Sequence, residues 1–412
     1  MRLLLTSHPI ASHLVPGLIP LARTAQAMGH EVAVATAASM GSELAGHGVA
    51  HLPLPSVAGQ REPRTDPALA QRYGLPSAAL PPGSLRMDAA TWRAISRAHA
   101  GLLAQDFARD LIASDWQPDV LVREPTEWGG YLAAEWWGIP HATLDYNATA
   151  GAELADITDV LAAQRAALGL NPEVSNPHRY LRAGVLPEQC YPPELASATS
   201  RYYRAPGPVG EPALDADIAA LPADRPLVLA SLGSLALTLP GMARVLPTLV
   251  EGLAALGCEA VLTLGGRADL AGELGPLPAN VHVTAFTPQR SLLGACDLFV
   301  THAGFNAFAE AIAAGVPMVA LPSFADQPLN AERIVALGLG ERLDLDRLTA
   351  EDLSAACIRT LTAPGPRRRV RQLQRLLLGQ PGFDHLVTDL ESLQPVAATP
   401  ALCACSGGGQ AS

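Results

Sequence analysis

Residues 301–333, THAGFNAFAEAIAAGVPMVALPSFADQPLNAER, hold the fold in miniature. The apolar run CDLFVT (296–301) ends at a histidine and a glycine, and the alanine-rich stretch AFAEAIAA (307–314) that follows has helical character. A second apolar run, GVPMVALPS (315–323), then leads to Asp326 and Gln327, side by side just past its end. A strand, a helix and a second strand make a βαβ unit, whose strands lie parallel with the helix packed across them. Asn306 stands where a helix N-cap belongs, so the turn after the first strand opens onto the free amides of a helix N-terminus.

Outward from this unit the same beat recurs. RLLLT (2–6) is a short apolar run, and VPGLIPLARTAQAM (15–28) places Leu18, Leu21, Ala22, Ala25 and Met28 on one helical face, with Gly29 at its C-terminus. EVAVAT (31–36) restarts a strand, and PDVLV (118–122), GGYLAAEWWG (129–138) and HATLD (141–145) repeat the pattern. Between residues 205 and 226 it lapses into APGPVGEP and LPADRP, the composition of an interdomain connection. PLVLASLGS (226–234), CEAVLTLGG (258–266) and NVHVTAF (280–286) then take it up again. The expectation is an α/β protein of two Rossmann-like, doubly wound parallel-sheet domains. They span 1–205 and 226–375, joined by a linker at 206–225; a C-terminal helix at 376–396 returns to the first domain and a flexible tail occupies 397–412.

Composition sets limits on partners. The chain has 412 residues, 49% hydrophobic and 16% charged, enough for two separate cores. Its formal net charge of −11 argues against nucleic acid or an anionic membrane surface, both of which demand a basic footprint. All 28 basic residues are arginine, so a phosphate loop of the GxxxxGK[ST] type cannot exist. No apolar run approaches the roughly 20 residues of a membrane span. Ser7, His8, Pro9, Ser12 and His13 interrupt what would otherwise resemble a leader, and a first β-strand in a cytoplasmic protein is the expectation. The six cysteines are scattered; Cys403 and Cys405 are close, at a spacing typical of neither zinc nor redox pairs.

In open parallel sheets ligands sit beyond the carboxyl ends of the strands. SLGS (231–234) ends one strand with amides and the Ser234 hydroxyl, and taken alone it reads equally as a plain tight turn. THAGFNAF (301–308) ends another and adds His302 as a neutral or cationic donor. The first strand runs into TSHPIASH (6–13) rather than GxGxxG, which disfavours a nicotinamide or flavin dehydrogenase. LDLDRL (343–348) carries Asp344 and Asp346 but follows GLGER, and reads as a surface turn rather than a metal site.

With these residues in view, 280–333 resembles the donor-binding motif of the nucleotide-sugar glycosyltransferases of GT-B fold, in particular the UDP-glycosyltransferase-like family and its bacterial natural-product members. The likeness continues through SLGS and IASHLVPGLIPLARTAQAMGHEVAVAT (10–36), and is least between about 55 and 117 and between 146 and 200. It implies two domains facing a cleft. Phe286 falls where the family has an aromatic that stacks on the nucleobase, and Gln289 matches a Pro-Gln pair beside it. His302, Gly304 and Asn306, with Ala303 and Phe305 between them, match the stretch that holds the diphosphate; Ala307 departs from the family's common Ser or Thr. Glu310 matches a carboxylate that accepts from ribose hydroxyls, and Asp326 and Gln327 the pair that reads the donor sugar.

For the opposite domain the resemblance implies a general base at His13, where Ser12 replaces the family's glycine, and an oriented carboxylate at Glu124, where many relatives carry aspartate. It thus implies an inverting, metal-independent glycosyltransferase without a cofactor, moving a deoxysugar or hexose from a TDP- or UDP-sugar to a hydrophobic small-molecule acceptor. Trp92, Trp128, Trp136 and Trp137 in the first half are candidates to meet that acceptor, and a homodimer is a candidate assembly. Two other readings stay open: a non-catalytic auxiliary protein, and a sugar-nucleotide epimerase or hydrolase.

Overall fold

Leu3, Leu4 and Leu5 are all fully buried, which makes β1 (Arg2–Thr6) the centre of the first sheet, covered on both faces as a parallel strand must be. In the computed structural model, which describes residues 1–58, 66–76, 83–146, 154–173, 176–207, 210 and 212–395, that sheet has seven strands. The others are β2 (Glu31–Ala37), β3 (Ala50–Leu54), β4 (Val120–Arg123), β5 (His141–Asp145), β6 (Leu181–Gly184) and β7 (Ser200–Tyr202). Their order is β3-β2-β1-β4-β5-β6-β7, every pair parallel. The second sheet has six strands: β8 (Leu227–Ser231), β9 (Glu259–Thr263), β10 (Val281–Thr284), β11 (Leu298–Thr301), β12 (Met318–Ala320) and β13 (Gly340–Arg342). Its order, β10-β9-β8-β11-β12-β13, is again wholly parallel. Strand order reverses between β1 and β4 in one sheet and between β8 and β11 in the other, and a doubly wound sheet binds ligands at that switch point.

Two local features depart from expectation. The first helix begins at Ala11 rather than at Val15: a turn at Ala11–His13 runs into a wide π-helical turn, Leu14–Leu18, before the regular helix Ile19–Ala27. Pro16 lacks an amide and would crowd a regular helical turn, and the chain is widened just there. His13 consequently sits on a helix instead of a loop. The GLGER stretch, for which the sequence suggests no strand, supplies the edge strand β13.

The domains meet at several places. One apolar cluster runs from Leu3, Leu5 and Leu18 of the first domain to Phe305 and Phe308 of the second, and Tyr191 and Phe305 bring their ring centroids to 5.9 Å. The helix Phe383–Ser392 buries Phe383, Leu386, Val387 and Leu390 in this cluster. It is bound to the first domain through Tyr203 with Asp389 and through His30 with Glu391 at 3.2 Å. In the other direction, residues 83–87 of the first domain reach the second. Leu85, 4% exposed, joins the second domain's own core with Leu321 and Leu345, and burying a leucine side chain stabilises by about 1.5–3 kcal/mol. Asp344 and Asp346 receive this segment, so LDLDRL is an interdomain seat and not a free surface turn. Its side chains are spoken for by the crossing chain, which no local pattern announces.

Among the described residues no helix is long and apolar enough to cross a membrane. Cys190, Cys258, Cys296 and Cys357 are buried free thiols. The tail at 397–412, with Cys403 and Cys405, lies outside the described residues.

Candidate active site

At the first sheet's switch point the turn after β1 carries His8, the short helix Ala11–His13 that follows carries His13, and the turn after β4 carries Glu124. His13 Nδ1 is 3.4 Å from Glu124 Oε1, and the carboxylate is wholly buried while the imidazole keeps a quarter of its surface open. Thr126 fixes the carboxylate, donating from its backbone N at 2.8 Å to Oε2 and from its hydroxyl at 2.9 Å to Oε1. Burial by itself would push Glu124 up, but the His13 imidazole, with His8 and the Thr126 amide, holds it well below the carboxylate range. Burial works against the charged imidazole of His13 too, and Glu124, helped by Asp326 across the cleft, raises its pKa above the ordinary value.

Two further histidines join this group, neither distinguished by the sequence from an ordinary buried or capping residue. His8 Nε2 lies 3.9 Å from the same Glu124 oxygen and 3.1 Å from the Thr126 carbonyl, and its ring stacks on His99 at 4.4 Å. Burial lowers both, His99 to about 3, whereas His13 is raised, so of the three His13 is the favoured site for a proton. Behind them the fully buried Glu127 accepts from Thr6 Oγ1 at 2.6 Å and from the Gly130 amide at 2.9 Å; burial raises it to about 7 against those bonds. Arg123 lies over the Trp128 ring at 4.2 Å and donates to the Glu124, Pro125 and Glu127 carbonyls, which locks the turn that presents Glu124.

Across the cleft, the second sheet's switch point is built around His302. Two glycines clasp its ring: a Cβ on Gly233 would come within 2.8 Å of it and one on Gly304 within 2.6 Å. SLGS is therefore more than a tight turn, since Gly233, at φ +77, opens the helical turn Gly233–Ala236 that leaves Ser234 exposed. Burial lowers His302 to about 4, so it serves as a neutral imidazole.

The helix Phe305–Ala314 starts two residues earlier than the N-cap reading of Asn306 requires. Gly304 occupies the cap position, and the side chain that caps is Asp326, whose Oδ2 accepts from the Phe305 amide at 2.8 Å and from Asn330 Nδ2 at 2.8 Å. Asn306 is thereby free to point outward, and its amide donates to the Ser12 carbonyl of the first domain at 2.8 Å. Ala303 and Ala325 both hold positive φ, 62° and 57°, a conformation costing non-glycine residues on the order of 1 kcal/mol each and concentrated at functional sites. Ala307 is buried within the helix.

The remaining expected donor residues take up distinct places. Phe286 stands 63% exposed past β10. Gln289 Nε2 donates to Glu310 Oε2 at 2.6 Å, tying the helix Gln289–Leu293 to Phe305–Ala314. Gln327 is buried and its Oε1 accepts from the Ser323 amide at 2.8 Å and that of Phe324 at 3.2 Å, so this oxygen shapes the loop around Asp326. Among the tryptophans, Trp128 is core, and Trp136 and Trp137 end the helix Gly129–Trp137, whose opposite end faces the strand ends. Only Trp92 of the four shares an element with the histidine group, the helix Ala89–Ala100 that bears His99. Among the described residues no group of three His, Cys, Asp or Glu side chains is placed to hold a metal ion.

Comparison with known proteins places the chain in a family. Residues 247–393 match the family model described as the erythromycin biosynthesis protein CIII-like C-terminal domain. The chain is 33% identical to an L-demethylnoviosyl transferase of Streptomyces niveus over 374 residues, covering 90% of this chain and 92% of that one. It belongs to this family of glycosyltransferases. A 10-deoxymethynolide desosaminyltransferase of Streptomyces venezuelae is 29% identical over 95% of this chain and 97% of its own. The crystal structure of the glycosyltransferase SnogD from Streptomyces nogalater superposes with a TM-score of 0.73 at 25% identity, covering 95% and 98% of the two chains. The GT-B architecture inferred from the motif is thus the fold of this glycosyltransferase.

Proposed function

We propose that this glycosyltransferase moves a sugar from a TDP- or UDP-sugar to a hydroxyl of a hydrophobic natural-product acceptor, with inversion and without a metal ion. One observation carries the reading: the Asn306–Ser12 bond of 2.8 Å brings the N-terminus of the Phe305–Ala314 helix next to the residue before His13. A proton acceptor and an anion-stabilising helix end then share one cleft. Because Nδ1 of His13 faces Glu124, Nε2 is the atom available to take the acceptor's proton. The freed oxygen attacks the anomeric carbon as its bond to the diphosphate breaks on the opposite face. The nucleoside diphosphate departs with the bonding electrons. Amides at the helix start, the dipole behind them and the neutral His302 stabilise that charge without rearrangement. Asp326, beside this N-terminus, is placed to meet the sugar hydroxyls, and exposed Phe286 offers its face to the base.

The test is a mass-spectrometric screen of TDP- and UDP-hexoses against aromatic and macrocyclic alcohols, with and without excess EDTA. The expected result is an acceptor-dependent glycoside of inverted anomeric configuration, formed equally in EDTA. Nucleoside diphosphate released at the same rate without acceptor would instead favour a hydrolase. Activity lost in EDTA and restored by magnesium would overturn metal independence.

A further inference from the structure

The crossing segment of residues 83–87 ends on the same loop that carries Asp326 and Gln327. Ser84 Oγ donates to Asp346 Oδ2 at 2.7 Å, the Leu85 amide donates to the other oxygen of that carboxylate, and Arg86 pairs with Asp344 at 3.3 Å. Arg244 donates to the Gly83 carbonyl at 2.9 Å. The last two links fall on Ser323: its hydroxyl donates to the Leu85 carbonyl, and its own carbonyl accepts from the Met87 amide at 3.0 Å. Ser323 has then only its amide left, and that goes to Gln327 Oε1 at 2.8 Å. Every polar group of Ser323 is committed, two of them to the other domain.

The loop so held is strained. It contains Ala325 at φ 57°, and a non-glycine residue keeps such a conformation only where its surroundings over-determine it. On its other side the segment passes directly into Asp88, which caps the helix Ala89–Ala100 through the Thr91 amide at 2.7 Å. That helix carries His99 in its last turn, stacked on His8 beside Glu124. A continuous run of packed and bonded groups therefore joins the Asp326 loop to the base.

We propose that Ser84–Met87 is a positioning strap by which the first domain sets the loop Ser323–Gln327 of the second, so that recognition of the donor's sugar depends on the strap while that of its nucleotide does not. The diphosphate and base would meet the turns at His302, Gly304 and Phe286, and among the described residues no hydrogen bond joins those turns to the strap. This inference rests on the reading of Asp326 and Gln327 as the sugar-facing pair.

Titration calorimetry with thymidine diphosphate and with TDP-glucose tests it. Asp346→Ala removes the exposed seat of the strap without opening a core, and Leu85→Ala withdraws its apolar anchor; melting temperatures check that both fold. The expected result is thymidine diphosphate affinity within about twofold of wild type in both variants, and TDP-glucose affinity reduced about tenfold or more. TDP-glucose binding unchanged in a folded Asp346→Ala, or an equal loss for both ligands, overturns the strap. Wild-type protein that gains no affinity from the glucose moiety overturns the sugar-facing reading beneath it, a result separable from one in which wild type shows the gain and the variants retain it.

Discussion

Nδ1 of His13 lies 3.4 Å from Oε1 of Glu124, and that carboxylate is completely buried, fixed by Thr126 and shared at 3.9 Å with His8. A buried carboxylate next to one open imidazole favours the protonated ring, which is the state a general base reaches as it takes up the acceptor's proton. Burial lowers the neighbouring His8 and His99, which leaves His13 the favoured site for the proton.

Removal of the base should show in the rate and not in donor binding. His13→Ala is expected to lower kcat by about 10²–10⁴, the range for losing a positioned proton acceptor. Nucleoside diphosphate affinity, measured by calorimetry, should stay within about twofold. A fully active variant would mean that the acceptor ionises without help.

The carboxylate sets where activity fails on the acid side. Glu124 raises the His13 pKa, and the base is lost as pH falls through that value. In Glu124→Gln the charge is gone, the His13 pKa drops, and the acid limb of the kcat/KM profile should move to lower pH. The double variant with His13→Ala should be little worse than His13→Ala alone, because Glu124 acts through the imidazole. Additive losses would place Glu124 in direct contact with the acceptor.

The glycine clasp predicts an unusual sensitivity to one methyl group. Gly304→Ala and Gly233→Ala each drive a Cβ to within 2.6 and 2.8 Å of the His302 ring, respectively. Overpacking of this kind costs about 1–3 kcal/mol, with an added backbone cost at Gly233. Both variants should melt earlier and bind thymidine diphosphate at least tenfold more weakly. Unchanged affinity would show that His302 can leave its place without consequence for the diphosphate.

Asn306 and His302 should not be equal partners of the diphosphate. A hydrogen bond to a charged group contributes about 1.5–3 kcal/mol, and His302→Ala should lose that much in calorimetry. Asn306 must first release the Ser12 carbonyl, so its net contribution is that of an exchange, and Asn306→Ala should cost about 0.5–1.5 kcal/mol. Equal losses would show that the Ser12 bond is absent in solution.

The sequence by itself determined the architecture, because a parallel sheet leaves a periodic apolar trace in which every strand must be hydrophobic on both faces. RLLLT and HATLD could be nothing but strands once GGYLAAEWWG was seen as a helix between PDVLV and HATLD. The donor turn was equally legible, since its chemistry lies within the continuous segment 280–333. The short edge strand β13 left no such trace, as GLGER has one buried side chain at most to distinguish it from a turn.

Only the tertiary structure decided which distant groups share a charge, a cap or a seat. His8 and His99 are 91 residues apart in the chain, and a lone histidine carries no mark of the stack it will join. The cap of the Phe305–Ala314 helix was sought at Asn306, its local neighbour, whereas Asp326 supplies it from the end of the next strand. Asp344 and Asp346 looked like solvated surface because their partners, Ser84 to Arg86, lie more than 250 residues away. Burial and hydrogen bonding act through space, and a sequence pattern reports only the part of them that recurs with the period of a helix or a strand.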